Sequence, residues 1–202
     1  MSENIIQDKF TEWTADKNAL EARIAVFNYI RDIPYGILPE LRDPVTGPVR
    51  MLEINVGSCV PKHFLLANFF EKLKIPVKYV TYLFSWNDFK VKYLPDLLKI
   101  VKAMPIGTHL ACKAYINGKW VLVDATFESA LQKRGFPVTE NWDGVSNTKN
   151  AVKPIKEIIH ETLEDRLKYI AECKKSWSPA QVHAYEEFPP LLNSWLSFLR
   201  RQ

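Results

Sequence analysis

The sequence feature that most constrains the fold is an Asn-Gly dipeptide, Asn117-Gly118, which lies between two apolar, β-rich runs. A two-residue type I′ turn needs a positive φ at both central positions, and Asn-Gly meets that need at low cost. The segment 109–126 is therefore predicted to be an antiparallel hairpin with this dipeptide at its tip. Ile116 then pairs with Lys119, and this pairing sets the register of both strands.

This register places two side chains with useful chemistry on one face of the hairpin. Asp124 lies opposite Ala111, and His109 is two residues from Ala111, so His109 and Asp124 point to the same side. Diagonal neighbours of this kind are about 7 Å apart at the backbone, a gap that the two side chains can close to a hydrogen bond. The carboxylate then fixes the histidine tautomer and supports its cationic form. Cys112 falls on the opposite face, and it is predicted to be a small buried residue.

A second group with useful chemistry is Cys59, at the start of an apolar segment that is predicted to be a buried helix over residues 59–73. A thiol at a helix N-terminus has its pKa lowered by the macrodipole and by free backbone N–H groups. Taken alone, these features leave a reactive thiol and an inert buried cysteine equally open. His63, one turn later, is predicted to be a partly exposed helix residue, with a position in the cleft as the alternative.

The remaining pattern predicts an α+β domain, since helices come first, strands follow and helices return. Helical periodicity covers residues 18–31, 91–103, 162–174 and 190–199, and a strand is predicted at 77–83. The proline-containing stretch 37–56 is predicted to be a long loop. A length of 202 residues fits one domain, which is predicted to span 1–202.

Composition restricts the partners and the compartment. The net charge is +4, which gives only a mild attraction to anions, and no tract of like charges indicates nucleic-acid binding. No apolar run reaches the length of about eighteen residues that a membrane span needs, and the N-terminus lacks the pattern of a secretory signal. The odd count of 3 cysteines then predicts free thiols in a reducing cytoplasm.

Three segments, in order, resemble the transglutaminase-like superfamily. They are a helix with its Ile-Pro-Tyr-Gly end at 27–36, the nucleophile segment that contains Gly-Ser-Cys at 57–59 and runs to 79, and the histidine strand, hairpin and aspartate strand at 109–126. Together they cover residues 18–126. The chain departs from the family pattern at Lys74, Ala111 and Ala125, where glycine, tryptophan and proline are usual. These departures indicate a divergent branch, so the substrate is left open.

The resemblance implies an antiparallel sheet packed against a buried central helix that carries the nucleophile. It also implies a papain-like mechanism with Cys59, His109 and Asp124 as the triad. The Cys59 N–H is the expected oxyanion donor, and Asn55, which closely precedes the cysteine, is the candidate for a second donor. Residues 127–202 match no motif, and we expect them to be a helical and loop elaboration of the same domain.

The resemblance thus implies cysteine-dependent acyl transfer on an amide-like bond of a peptide or small amide-containing substrate. Hydrolysis is favoured over cross-linking because the chain is small and has no recognisable accessory domain. No cofactor is implied, and neither nucleic acid nor a membrane is expected as a partner. The alternative is a non-catalytic binding or scaffolding module of the same fold.

A zinc site is the remaining alternative, because two pairs of residues have the spacing of zinc ligands. These pairs are Cys59 with His63, and His109 with Cys112. The hairpin register places His109 and Cys112 on opposite faces, so they cannot bind one ion together. No metal is therefore predicted.

Overall fold

The computed structural model of the chain describes the backbone of residues 2–201 and the side chains of residues 5–201. It has an α+β fold built around a 4-stranded antiparallel sheet of order β3-β2-β1-β4, which confirms the predicted class. The strands are β1 (Val77–Phe84), β2 (Gly107–Ile116), β3 (Lys119–Val123) and β4 (Lys156–His160). The helices are α1 (Ser2–Thr14), α2 (Ala19–Asp32), α3 (Thr46–Ile54), α4 (Cys59–Lys72), α5 (Pro95–Ala103), α6 (Leu163–Lys175) and α7 (Pro179–Arg200).

The hairpin between β2 and β3 has the predicted turn and register. Asn117 and Gly118 have φ values of 50° and 80°, and Ile116 pairs with Lys119. A Cβ at Gly118 would meet no atom within 4 Å, so the positive φ rather than crowding favours glycine there. The paired ladder stops at Val123, which leaves Asp124 as the first residue beyond it. The predicted turn and register are confirmed, but the second strand ends at Val123 and not at residue 126.

Helix α4 is the centre of the main core, as the apolar run predicts. Phe69 and Phe70 are fully buried, and they belong to one cluster with Cys112 and Ala114 of β2. Complete burial of a phenylalanine side chain contributes about 1.5–3 kcal/mol, so this helix holds the sheet firmly. The predicted packing of an antiparallel sheet against a buried central helix is confirmed.

A second core lies on the opposite face of the sheet. Val80 and Tyr82 of β1 share a cluster with Ala111 of β2 and with residues of the last helix, among them Phe188 and Trp195. Alternation along β1 explains this, because successive side chains point to opposite faces. The chain therefore forms three layers, with the sheet in the middle.

The predicted loop at 37–56 is wrong. This stretch contains a short 3-10 helix, Pro39–Arg42, and the helix α3. Asp43 accepts hydrogen bonds from the N–H groups of Val45 and Thr46, which satisfies donors at the start of α3. Pro48 lies in the first turn, where its missing N–H costs nothing. The proline content that suggests a loop is thus compatible with a helix start.

Boundaries differ from the predictions in the other helices. The helix expected at 91–103 begins only at Pro95, and the helix expected at 190–199 begins at Pro179. Ser178 explains the earlier start, because its side chain accepts a hydrogen bond from the N–H of Gln181. Strand β4, which carries His160, has no counterpart among the predicted elements.

Between residues 2 and 201, every helix is too short or too polar to cross a bilayer. The cytoplasmic compartment and the single-domain boundaries stay predictions.

Candidate active site

Cys59 is held at the start of α4 by a short backbone bridge. The N–H of Gly57 donates to the carbonyl of Pro34 at 3.0 Å. A Cβ at Gly57 would lie 2.4 Å from Met51 Sδ, so only glycine allows this close approach. The preceding Ser58 makes no side-chain cap. The first-turn N–H groups, which have no intrahelical acceptors, therefore remain available near the Cys59 thiol.

The structure brings Cys59, His109 and Asp124 together. His109 Nε2 donates to Asp124 Oδ2 at 2.8 Å, and the His109 imidazole and the Cys59 thiol line the same cleft, where His109 acts on the pKa of the thiol. Because Nε2 is used by the carboxylate, Nδ1 is the ring nitrogen that remains for the thiol. Asp124 also accepts from Thr126 Oγ1 at 2.6 Å and from the Ala151 N–H at 2.8 Å. These bonds fix the carboxylate and, through it, the imidazole.

The pKa values in this group shift in the directions that favour an ion pair. Burial opposes each shift, but neighbouring charges and hydrogen bonds outweigh it. The charge of Asp124, and then its hydrogen bond, raise the pKa of His109 to about 10. His109 in turn lowers the pKa of Asp124 to about 2. The His109 imidazole lowers the pKa of the Cys59 thiol, with smaller effects from the Leu110 backbone and Arg166. All three shifts favour transfer of the thiol proton to His109.

His63 is fully buried, so the prediction of a partly exposed position is wrong. Its Nδ1 lies 2.7 Å from the carbonyl oxygen of Cys59, and its Nε2 lies 3.1 Å from the N–H of Ala125. One neighbour only accepts and the other only donates, so His63 must be neutral with its proton on Nδ1. Burial lowers its pKa to about 4, which agrees with this assignment. His63 thus links the nucleophile turn to the residue after Asp124.

Lys62 and Arg31 are buried beside this group, and sequence reasoning missed both. Lys62 Nζ donates to the carbonyls of Arg31 at 2.9 Å and Thr126 at 2.7 Å. Burial lowers the pKa of Lys62 to about 7. The Arg31 guanidinium is bonded to Asn28, to Asp32 and to the carbonyls of Thr139 and Glu140. These cations have polar partners, so they stabilise the backbone around the candidate site.

Cys59 and His109 open into a cleft of about 250 Å³. One wall comes from the segment that matched no motif, through Arg166, Ile170 and Lys174 of α6 and through α7. The spacing of these α6 residues puts them on one helix face. The deeper lining is aromatic and includes Phe84, Trp86, Phe89, Phe127 and Phe188. No aspartate or glutamate is among the described residues that line the cleft.

The structure does not bring Asn55 to this cleft. Asn55 ends α3 with a left-handed φ of 51°, is exposed, and lines a different cavity from Cys59. A backbone turn separates it from the thiol, so proximity in sequence was a poor guide.

Cys112 faces α4, as predicted, and its Sγ donates to the carbonyl of His63 at 3.5 Å. Burial raises the pKa of this thiol. His109 instead lines the cleft. Within the described residues no cluster of three or more His, Cys, Asp or Glu side chains has an arrangement that could hold a metal ion.

Comparisons with known proteins find distant neighbours among solved structures alone. No family model and no curated protein matches the chain. A solved structure from Cytophaga hutchinsonii, described as a cysteine protease, is 22% identical with a TM-score of 0.42. The match covers 65% of this chain and 39% of that chain. A TM-score of this size is too low to support a shared activity, so the chemistry rests on this chain's own residues.

Proposed function

We propose that this protein is a cysteine-dependent acyl-transfer hydrolase in which Cys59, His109 and Asp124 act as the catalytic triad. The observation that carries the proposal is the hydrogen bond from His109 to Asp124, with the His109 imidazole and the Cys59 thiol in the lining of one cleft. An oriented base next to a helix-terminal thiol is the arrangement that generates a nucleophile. The substrate is an amide, ester or thioester, and the resemblance to transglutaminase-like proteins points to the same chemistry.

In the acylation step the Cys59 thiolate attacks the carbonyl carbon, and the carbonyl π electrons move to oxygen. The backbone N–H of Cys59 donates to this oxyanion at the start of α4. The tetrahedral intermediate collapses as the bond to the leaving group breaks, and His109 gives its proton to that group. The product is a thioester on Cys59 and a neutral His109 held by Asp124.

In the second step the neutral His109 removes a proton from water, and the hydroxide attacks the thioester. The C–S bond breaks, the carboxylic acid leaves, and the thiolate–imidazolium pair is restored. An amine in place of water would give transfer instead of hydrolysis. We favour hydrolysis, since a cleft of about 250 Å³ leaves little room for an amine substrate beside the acyl group.

Acylation can be tested without knowledge of the natural substrate. 4-Nitrophenyl acetate is mixed with the protein, and intact mass is recorded on the millisecond-to-second scale along with release of nitrophenol. We expect a burst of nitrophenol and a mass gain of one acetyl group on Cys59, which decays by hydrolysis. With methylamine added, the ratio of N-methylacetamide to acetate measures how much of the acetyl group is transferred to the amine rather than to water.

The control is Cys59→Ala, which removes the thiol and leaves Cys112 and Cys173 in place. This variant should lose both the burst and the adduct. If the parent and Cys59→Ala hydrolyse the ester at equal rates and no acetyl group is found on Cys59, the proposed enzymatic activity is ruled out. The non-catalytic binding module would then be the better interpretation.

A further inference from the structure

Helix α6 buries one side chain, and that side chain is a cation. Arg166 is 3% exposed, whereas the other described residues of α6 are half-buried or exposed. A helix normally turns apolar residues toward the protein. The burial of an arginine at this contact therefore calls for a specific reason.

Arg166 also lacks a polar partner in the part of the chain that the structure describes. Its Nε is buried without a hydrogen-bond acceptor, and none of the ion pairs found there includes its guanidinium. The ionisable groups whose charges act on it are the thiols of Cys59 and Cys112 and the phenol of Tyr79. None of them is a carboxylate. The thiolate form of Cys59 attracts the guanidinium but accepts no hydrogen bond from it in the described part of the chain, so a strong forked donor is left partly unsatisfied.

Packing alone does not account for this side chain. The guanidinium lies over the Phe64 ring at 6.0 Å, a distance at the limit of a useful cation–π contact. Such a contact offsets only part of the cost of removing the charge from water. A methionine would cover the same ring without that cost. Arg166 lines the cleft that contains Cys59, so a ligand in the cleft can supply the missing anion.

The rest of the cleft fits the same kind of ligand. Arg42 and Lys174 are the other arginine or lysine residues in the described lining, which contains no carboxylate, so apart from the Cys59–His109 pair the charges there are positive. Both lie against the Tyr185 ring, at 5.1 Å and 5.4 Å. Much of the remaining lining is aromatic. The cleft therefore combines an apolar surface with a positive field.

We propose that the acyl substrate has an apolar or aromatic body and carries an anionic group, a carboxylate or a phosphate, that Arg166 binds beside Cys59. This inference rests on the proposed function, since it assigns the substrate of the same cleft. Arg166 is then a specificity-determining residue. Its planar fork suits both anions, which accept two parallel N–H bonds.

The first test compares two alkylating reagents of nearly the same shape, neutral iodoacetamide and anionic iodoacetate. Each forms a bond from Cys59 Sγ to carbon and releases iodide, so the ratio of their rates cancels the amount of thiolate. Alkylation of Cys59 is followed by mass spectrometry of its peptide, at fixed ionic strength. We expect the ratio of iodoacetate to iodoacetamide to exceed that of a free thiol by roughly tenfold or more.

The matched variants are Arg166→Gln, Arg166→Lys and Lys168→Gln. Arg166→Gln should return the ratio to that of a free thiol, and Arg166→Lys should keep part of it. Lys168 is on the same helix but is exposed and paired with Glu164, so Lys168→Gln should leave the ratio unchanged. If the parent and Arg166→Gln alkylate Cys59 with equal ratios, the inference is wrong and the nucleophile still stands. If neither reagent modifies Cys59 below about pH 8, the proposed function itself fails.

The second test measures binding without any reaction at Cys59. Calorimetry compares phenylacetate, phenyl phosphate and the neutral phenylacetamide, which share one ring. At least one anion should bind roughly tenfold more tightly than the amide, and Arg166→Gln should remove that difference. The stronger anion identifies a carboxylate or a phosphate as the natural group. Equal binding of all three ligands would overturn the inference, whatever the reactivity of Cys59.

Discussion

Buried polar groups near the nucleophile have hydrogen-bond partners in the protein, whereas a buried arginine in the α6 wall of the cleft does not. Arg31, whose carbonyl accepts from Lys62 of the nucleophile helix, is buried, and its guanidinium is hydrogen-bonded to side chains and to backbone carbonyls. Across the cleft, Arg166 is buried to a similar degree, and its Nε has no acceptor among the described residues. Both residues are buried arginines, but the donors of Arg31 have hydrogen-bond acceptors and the Nε of Arg166 has none in the described part of the chain.

This difference separates groups that build the site from a group that serves a ligand. On the nucleophile side, His63 and Lys62 bond to fixed backbone atoms, so they hold the chain in one arrangement. Their role is complete without a substrate. The donors of Arg166 would be satisfied only by an anion in the cleft. This is typical of a residue that serves ligand binding and lowers the stability of the free protein.

The largest effect is expected for Asp124→Asn on the nucleophile side. Asparagine keeps the shape but cannot balance an imidazolium, and it can hold His109 in the wrong tautomer. Acetyl turnover should fall by about a hundredfold or more, while the thermal melt shows a folded protein. Asp143→Asn is the control, because Asp143 caps an exposed turn away from the cleft. Parent-like turnover in Asp124→Asn would remove the aspartate from the mechanism.

The two buried arginines should respond in opposite directions to methionine. Arg31→Met leaves the Thr139 and Glu140 carbonyls without this donor and should lower the free energy of unfolding by about 1–3 kcal/mol. Arg166→Met removes a charge with no partner and should raise it by about 1 kcal/mol. Urea unfolding of both variants measures the difference. A loss of stability in Arg166→Met equal to that in Arg31→Met would contradict the contrast between the two sides.

A smaller effect is expected from the neutral His63. Its pKa of about 4 in the folded protein lies below the usual 6.5, so between these values the unfolded state binds more protons. The stability that His63 provides is present above pH 6.5 and is lost as the pH falls toward 4. At 1.36 kcal/mol per unit, the loss between pH 7 and pH 5 is about 2 kcal/mol.

His63→Gln isolates this effect, because glutamine can donate and accept but does not titrate. Urea midpoints at pH 7 and pH 5 should fall less for the variant than for the parent. The same fall in both proteins would mean that His63 is not held neutral by its neighbours.

Sequence reasoning succeeded where local rules decide the structure. The Asn117-Gly118 turn fixes the hairpin register, and that register places His109 next to Asp124 before any tertiary contact is known. The apolar run after Cys59 likewise predicts a buried helix. The fold class and the pairing of His109 with Asp124 therefore followed from short segments, whereas Cys59 was added to them only by the resemblance to transglutaminase-like proteins.

The parts that were missed depend on contacts between distant segments. Strand β4 forms because residue 160 pairs with residue 79 of β1, which no local pattern indicates. His63 is buried because Ala125 from the hairpin supplies an N–H donor. Arg166 lies on a helix with a largely polar surface, so nothing in its periodicity distinguishes it from Lys168. Only the assembled cleft shows which of these side chains faces Cys59.

The central claim is that Cys59 is a thiolate paired with His109, and its alkylation by iodoacetamide as a function of pH tests this most directly. The measurement uses a Cys173→Ser background, because Cys173 is the partly exposed thiol. Since His109 lowers the thiol pKa, the rate should begin to fall at a lower pH than the rate of an ordinary cysteine does, and His109→Gln should move that fall back to higher pH. A parent rate that falls roughly tenfold per unit below about pH 8.5, as for an ordinary cysteine, would contradict the account.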